Sequence, residues 1–203
     1  MSIPYELQGR TSQKARTREA LVEAARSLLA DGVTPTVEQA AARAAIARTT
    51  AYRYFPNQRA LLLATYPELG TPSLLGADPP PDAATRLEVV TNQITRQVLD
   101  HEPELRAALR VSLEPSGLKG DPPQLRRARA IGWIEDALAP LRGEMSEHEL
   151  HRLVLAIRAA IGIEALVWLT DVGKLSRADA VATMHWSARA LLRSALEECA
   201  ADE

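Results

Sequence analysis

The chain has 203 residues, 46% of them hydrophobic and 25% charged, with a net charge of −2. This length and composition exclude a disordered or fibrous protein and suit one large domain or two smaller ones. The single cysteine, Cys199, excludes an internal disulfide, and the opening MSIPYELQGR lacks the apolar stretch of a secretory signal. The most apolar segment contains Arg158 and Glu164, so we expect no membrane span and a cytoplasmic location.

Charge is unevenly distributed along the chain. Residues 1–62 contain nine basic and five acidic side chains, whereas the remainder contains 15 basic and 21 acidic ones. A basic end joined to an acidic body favours contact of the basic end with a polyanion. The excess is mild, so chance remains an alternative explanation.

The pattern predicts an all-α fold with about nine helices, because Ala and Leu dominate and apolar residues recur at helical spacing. Thr36 with Gln39 forms a capping box, and Asn57 is a further cap. The first four helices are predicted over about Ser12–Ala30, from Thr36 to about Ala44, over Arg48–Phe55, and from Asn57 to about Glu68.

A proline- and glycine-rich linker, GTPSLLGADPPPD, separates these helices from the rest. Capping boxes at Ser146 with Glu149 and at Ser176 with Asp179 begin two long apolar helices, which end near Thr170 and Cys199. Before them, helices are predicted over about Ala83–Asp100, Glu102–Leu113 and Pro123–Leu141. We predict two domains, residues 1–62 and 63–203.

The stretch RTTAYRYFPNQ, residues 48–58, holds three of the eight aromatic residues of the chain. The second and third helices are too short to be stable alone, so they must pack as a helix-turn-helix. Its inward side chains are predicted to be Ala41, Ala44, Ile46, Ala51 and Phe55. Its outward side chains, Arg48, Thr49, Arg53 and Tyr54, are types that bond to base edges and phosphates.

The segment TVEQAAARAAIARTTAYRYFPNQRALL resembles the DNA-binding signature of the TetR family of transcriptional regulators. That signature approximates A-G-V-S-x-x-T-x-Y-x-x-F-x-x-K-x-x-L. The matching positions are Ala44, Ile46, Thr50, Tyr52, Phe55 and Leu61. The likeness is specific over residues 12–62, and the segment from Ile161 to Leu192 also looks like the C-terminal end of some members.

Three positions depart from the family pattern. Ala45 replaces the turn glycine, so the backbone there must avoid a left-handed conformation or accept strain. Ala47 replaces the serine cap of the third helix, which forfeits roughly 1 kcal/mol of capping. Gln58 replaces a lysine, which removes one phosphate contact and predicts weaker or less salt-sensitive binding, with Arg59 as the candidate to compensate.

The resemblance implies a homodimer that binds a pseudo-palindromic double-stranded DNA operator and represses transcription until a small, mostly apolar effector enters its C-terminal domain. The implied DNA contacts are Thr36, Ala47, Arg48, Thr49, Thr50, Tyr52, Arg53, Tyr54 and Gln58. The dimer interface is expected from the last two helices, at Leu153, Ile157, Ile161, Val181, His185, Ala188 and Leu192. The effector pocket is expected among the middle helices, with candidate residues Asn92, Thr95, Arg96, Trp133 and Trp168.

Catalysis, cofactors and metals find no support in the sequence. His148 and His151 lie in HELH, which lacks the H-E-x-x-H spacing of zinc proteases, and neither G-x-x-x-x-G-K-[ST] nor G-x-G-x-x-G occurs. Two alternatives stay open: an all-helical interaction module or enzyme without DNA activity, and an activator of the same family. The first gives no reason for the capped short helix, turn and arginine-bearing short helix of residues 36–62.

Overall fold

The structure, a computed structural model, describes residues 5–65, 72–113 and 129–201, with side chains from residue 12 onward. Over these ranges it contains ten α-helices and no β-strand, which confirms the predicted all-α class. The helices are α1 (Tyr5–Ala30), α2 (Val37–Arg43), α3 (Arg48–Tyr54), α4 (Gln58–Ala64), α5 (Ala83–Asp100), α6 (Glu102–Leu113), α7 (Arg129–Ala137), α8 (Glu147–Ile161), α9 (Ile163–Val167) and α10 (Arg177–Ala201).

Most helix boundaries match the sequence pattern to within about two residues. The first helix is an exception, because α1 begins at Tyr5 rather than at the predicted Ser12. No proline lies between these two residues, and Gly9 weakens a helix without ending it. The predicted end of the fourth helix at Glu68 and start of the seventh at Pro123 lie outside the described residues.

The prediction of one long helix from Ser146 to Thr170 is wrong, because the helix is interrupted at Gly162. This residue is extended (φ −89°, ψ 179°) and ends α8, and after α9 the chain continues as a π-helical turn over Trp168–Val172. A Cβ at Gly162 would lie 1.8 Å from Nη1 of Arg158, whose guanidinium pairs with Glu164 across the break at 3.3 Å. The glycine therefore leaves room for an ion pair that joins the two helix ends.

The chain divides into two compact units. The first contains residues 1–68 and 103–125, and the second contains residues 69–102 and 126–203. All of α6 except its first residue, Glu102, thus belongs with the N-terminal helices. The predicted functional division at residue 62 stays a prediction.

The first unit has a core built from its four N-terminal helices. Its members are Leu21, Val22 and Ala25 of α1, Val37, Ala40 and Ala41 of α2, Ala51 and Phe55 at α3, and Leu61 of α4. A second cluster joins Leu29 and Leu62 to Ala107 and Val111 of α6. Burial of these apolar faces holds the short helices α2 to α4, which are not stable in isolation.

The second unit is a helical bundle in which α10 packs on α5 and α8, and α7 packs on the same two helices. Its fully buried large side chains are Leu87, Val90, Ile134, Leu138, Ile157, Ile161, Leu166 and Met184. Ser73 bonds to Asp136 and Gln93 to the Leu74 carbonyl, which fixes the described part of the linker to α7 and α5.

Helix length and apolarity in the described ranges bear on the expected absence of a membrane span. No single helix there is long and apolar enough to cross a bilayer, although the pair Glu147–Ile161 and Ile163–Val172, bent by 41°, meets the criterion when taken together.

Candidate nucleic-acid interface

The second helix begins with the capping box predicted from the sequence. Thr36 Oγ1 accepts from the Gln39 amide at 3.2 Å, and Gln39 Oε1 accepts from the Thr36 amide at 2.8 Å. Asn57 caps α4 in a similar way, accepting from the Ala60 amide at 2.8 Å. These bonds satisfy helix-start donors and fix where α2 and α4 begin.

The turn after α2 is a Schellman motif with alanine in the position that usually holds glycine. Ile46 donates its amide to the Ala41 carbonyl at 2.9 Å, and Ala45 donates to the Ala42 carbonyl at 3.2 Å. Ala45 accordingly has φ +54°, in the left-handed region. Of the two options that the sequence left open for Ala45, the turn therefore takes the left-handed conformation with its strain.

Helix α3 presents the polar face that the sequence predicts. Ala51 and Phe55 are buried, with Ala41, Ala44 and Ile46 in or against the same core. Arg48, Thr49 and Arg53 are exposed and Thr50 is half-buried. Ala47, at the start of the helix, makes no capping bond from its side chain.

The other predicted DNA contacts lie around this face, and several of their side chains are held by neighbouring residues. Thr36 and Gln58 are exposed, and Gln58 donates from Nε2 to the Pro35 carbonyl at 3.0 Å. Tyr52 and Tyr54 are half-buried and pack against the N-terminal core. The two tyrosines thus contribute to packing as well as to the surface.

Glu38 of α2 is a member of this surface that the sequence did not suggest. Its Oε1 accepts the Tyr52 hydroxyl and lies 2.9 Å from Nη2 of Arg48, whose guanidinium sits 5.7 Å from the Tyr52 ring centre. The Tyr52 hydrogen bond is the main cause that lowers the pKa of Glu38, and the same bond raises the pKa of Tyr52. At neutral pH the cluster of Glu38, Arg48 and Tyr52 therefore carries no net charge.

Arg59 does not replace the missing lysine. Its Nη1 donates to the Val111 carbonyl of α6 at 2.6 Å, and its Nη2 is buried with no hydrogen-bond partner in the described part of the chain. The guanidinium is thus committed to α6, and this correction leaves the lysine position of the signature without a phosphate-binding charge at Gln58 or Arg59.

The predicted dimer residues, all in the second unit, fall into a buried group and a half-buried group. Leu153, Ile157, Ile161, Ala188 and Leu192 are buried within the single chain, whereas Val181 and His185 are half-buried. The apolar stripe recognised in the sequence is thus the stripe that builds the core of the unit. Large apolar side chains that remain exposed on these helices and the turn between them are Leu155, Trp168, Val172, Leu175, Trp186 and Leu196.

The candidate effector residues differ in how far they are buried. Asn92 and Arg96 are exposed on α5, where Arg96 lies 3.9 Å from Asp100, and Trp168 is 61% exposed. Trp133 and Thr95 are buried.

A small polar group occurs where α5 meets α10. The Thr95 hydroxyl lies 2.8 Å from the Thr91 carbonyl oxygen, 3.2 Å from the Asn92 carbonyl oxygen and 2.9 Å from Nε2 of His185, with which it shares a hydrogen bond. The Thr91 hydroxyl oxygen is buried and has no hydrogen-bond partner among the residues that the structure describes. Thr91 was not predicted, since a threonine on an apolar helix face gives no signal by itself.

The two histidines of HELH lie on the surface in the first turns of α8. Across the described residues, no group of three or more His, Cys, Asp or Glu side chains is arranged to hold a metal ion. His148 is exposed at the start of α8, and His151 follows one turn later, also exposed.

The N-terminal helices match a known protein family. Residues 21–65 match the family model described as bacterial regulatory proteins, tetR family. The matched range contains the end of α1, the capping box, the turn at Ala45, the polar face of α3 and α4, which confirms the resemblance seen in the sequence. No curated protein matches the chain.

Proposed function

We propose that this chain, a DNA-binding transcriptional regulator of the TetR family by its N-terminal domain, is a homodimeric repressor. In this proposal it occupies a pseudo-palindromic operator and leaves it when a small, mostly apolar effector binds. Such a domain belongs to a regulator rather than an enzyme. The proposal also includes the cytoplasmic location expected from the sequence.

The exposed face of α3 is the observation that carries the DNA-binding part. Arg48, Thr49 and Arg53 extend from a helix whose opposite face is buried, as a recognition helix requires. Within the described part of the chain, Arg53 has neither an acidic partner nor a hydrogen bond. Its five N–H donors are therefore free for a guanine edge or a phosphate.

Exposed apolar surface on the last helices supports the homodimer. Trp186 of α10 is 64% exposed, and Leu155 of α8 and Leu196 of α10 are also exposed. A tryptophan with this exposure is typical of a side chain that a partner covers. We therefore propose that the interface uses these outer side chains, together with the half-buried Val181 and His185.

The polar group at the contact of α5 and α10 supports an effector site in the second unit. Among the described residues the Thr91 hydroxyl has no hydrogen-bond partner, and Leu87 and Ile94, about one helical turn before and after it on α5, are buried and apolar. An apolar lining with a few polar groups is typical of sites for small molecules. Release from DNA then requires that the effector favour a dimer whose two α3 helices no longer fit the operator.

A titration of the operator with Arg53→Ala tests this function. The operator is first isolated by selection from random duplexes. Loss of a base or phosphate contact should weaken binding by roughly 1–3 kcal/mol, which is about 5- to 150-fold. Arg142→Ala, an exposed arginine in the turn before α8, is the matched control and should bind like the wild type.

Outcomes of this titration separate the alternatives. Equal binding by both variants would contradict the orientation of α3. Absence of binding by the wild-type protein to every selected duplex would favour a helical protein without DNA activity. A promoter that carries the operator distinguishes a repressor, which lowers its transcription, from an activator, which raises it.

A further inference from the structure

Glu38 places a carboxylate on the surface that faces the phosphates of DNA in the proposed function. It lies in the first turn of α2, where the positive end of the helix dipole favours a negative charge. It contacts α3 through two side chains, Arg48 and Tyr52, which are one helical turn apart. Repulsion from DNA makes such a carboxylate costly unless it contributes to recognition.

Because of this carboxylate, the two arginines of α3 differ in whether they have an acidic partner. Arg48 is paired with Glu38, whereas Arg53 has no acidic partner in the described residues. An isolated guanidinium contributes to the affinity for any DNA sequence, because it releases a counterion from a phosphate. A guanidinium with a carboxylate partner adds less to this term, because the carboxylate offsets its charge, and the pair favours one orientation of the side chain.

We propose that Glu38 is a specificity-determining residue, which holds Arg48 and Tyr52 for base recognition and withholds them from phosphates; this inference rests on the proposed DNA-binding function. The ion pair joins Glu38 to the Nη2 atom of Arg48. The remaining N–H groups stay available for the two acceptors on a guanine edge. Tyr52 cannot donate to a phosphate while its hydroxyl hydrogen goes to Glu38.

Two consequences follow for affinity. Binding to random DNA is weakened by Glu38, since Arg48 with its charge offset adds less to counterion release. The affinity for the operator is increased by Glu38, since Arg48 is already oriented and loses less side-chain entropy when it contacts its base. Glu38 thus widens the ratio of operator affinity to random-DNA affinity.

Glu38→Gln tests this role, because glutamine keeps an acceptor oxygen and removes the charge. Fluorescence anisotropy with the selected operator and with a random duplex of equal length, over a series of salt concentrations, gives both affinities and both salt slopes. We expect the ratio of the affinities to fall by about fivefold or more, while random-DNA binding strengthens. For random DNA, the slope of log affinity against log salt concentration should be steeper by about one in Glu38→Gln than in the wild type, as one added phosphate contact requires.

Matched variants separate this role from a change of charge or of packing. Glu23→Gln removes an equal charge from α1, where Glu23 pairs with Arg26 at 3.6 Å, and should leave the ratio unchanged. Tyr52→Phe leaves the ion pair in place and should keep the wild-type salt slope. Circular dichroism establishes that each variant is folded before its binding is compared.

The outcomes also distinguish this inference from the proposed function. If the wild-type protein shows no preference for any duplex, the proposed function fails. If the wild-type protein is selective and Glu38→Gln leaves the ratio and slope as they are, the role of Glu38 is overturned. An equal gain in affinity for both duplexes would overturn it too, since that result needs only the removal of a repelling charge.

Discussion

Ala45 occupies the position after α2 where a left-handed backbone is required by two hydrogen bonds of the turn. The bonds from Ile46 to Ala41 and from Ala45 to Ala42 close only with φ near the observed +54°. This conformation costs a residue with a Cβ about 1–2 kcal/mol, whereas glycine adopts it freely. The strain is offset by the core that α2 and α3 share.

Ala45→Gly should therefore stabilise the protein. We expect the free energy of unfolding to rise by about 0.5–1 kcal/mol, after subtraction of the greater chain entropy of glycine in the unfolded state. Chemical denaturation measures the change. Ala42→Gly, the same substitution at an exposed site within α2, should instead lower stability by about 1 kcal/mol, and a loss of stability in both variants would contradict the strain assigned to Ala45.

His185 gives a second prediction at the scale of a residue. Burial is the main cause that lowers its pKa from 6.5, and nearby Arg189 adds to this effect while Glu88 opposes it. The unfolded chain therefore binds a proton more readily, so stability should fall as pH decreases from about 6.5 through the folded pKa. His185→Gln should flatten this part of the profile in thermal or chemical denaturation.

A matched control for His185 is His148→Gln, an exposed histidine at the start of α8. Its profile shows the effect of losing a histidine outside the contact of α5 and α10, against which that of His185→Gln is compared. A profile for His185→Gln that coincides with that of the wild type would contradict the assignment of this dependence to the contact between α5 and α10.

At the scale of the helix, the segment between α8 and α10 is shaped by two glycines that act differently. Gly162 breaks the helix and leaves space for the ion pair of Arg158 and Glu164. Gly173 ends the π-helical turn, and a Cβ there would lie 2.7 Å from the carbonyl oxygen of Leu169. A flexible guanidinium yields to a new methyl group, whereas a backbone carbonyl does not.

Gly173→Ala should consequently destabilise the protein, by about 1–3 kcal/mol, since the backbone of the turn must shift. Gly132→Ala is the matched control, because Gly132 lies within α7 and a Cβ added there would have no neighbouring atom of the described residues within 4 Å. That variant should gain about 1 kcal/mol from the better helix propensity of alanine. Thermal denaturation compares them, and equal melting temperatures would contradict this interpretation of the turn.

At the scale of the whole molecule, assembly depends on which side chains the core leaves available. Leu192 is only 4% exposed, so a charge placed there would disrupt the core rather than test an interface. Trp186 of α10 is well exposed in the single chain, and its replacement leaves the core intact. It is therefore the residue with which to test the proposed homodimer.

Trp186→Glu should yield a folded monomer, because it places a charge in the apolar surface that a second copy would cover. Sedimentation equilibrium measures the mass, and circular dichroism measures the helix content. Val33→Glu changes another exposed apolar residue, in the loop after α1, and should leave the dimer unchanged. A dimer of unaltered stability for Trp186→Glu would exclude this surface.

Features set by neighbouring residues were predictable from the sequence. The caps at Thr36, Asn57 and Ser146 depend on side chains within four positions, and all three form as expected. The turn at Ala45 and the buried Phe55 follow from the helix-turn-helix pattern.

Features that depend on how helices cross were not predictable. Glu38 joins α3 only because α2 crosses it at the position of Tyr52, and sequence spacing carries no record of that crossing. Gly162 ends α8, and the ion pair of Arg158 with Glu164 spans the break, whereas helix propensity alone tolerates one glycine. The apolar stripe of α8 and α10 did not indicate which residues the core of the same chain would bury.

Selection of bound duplexes from a random DNA pool, performed at two salt concentrations, tests the central claim most directly. We expect enrichment of an inverted repeat whose half-sites lie about one helical turn apart, with affinity that falls as salt rises. A single enriched half-site would contradict the homodimer. No enrichment at either concentration would contradict sequence-specific DNA binding by the free protein.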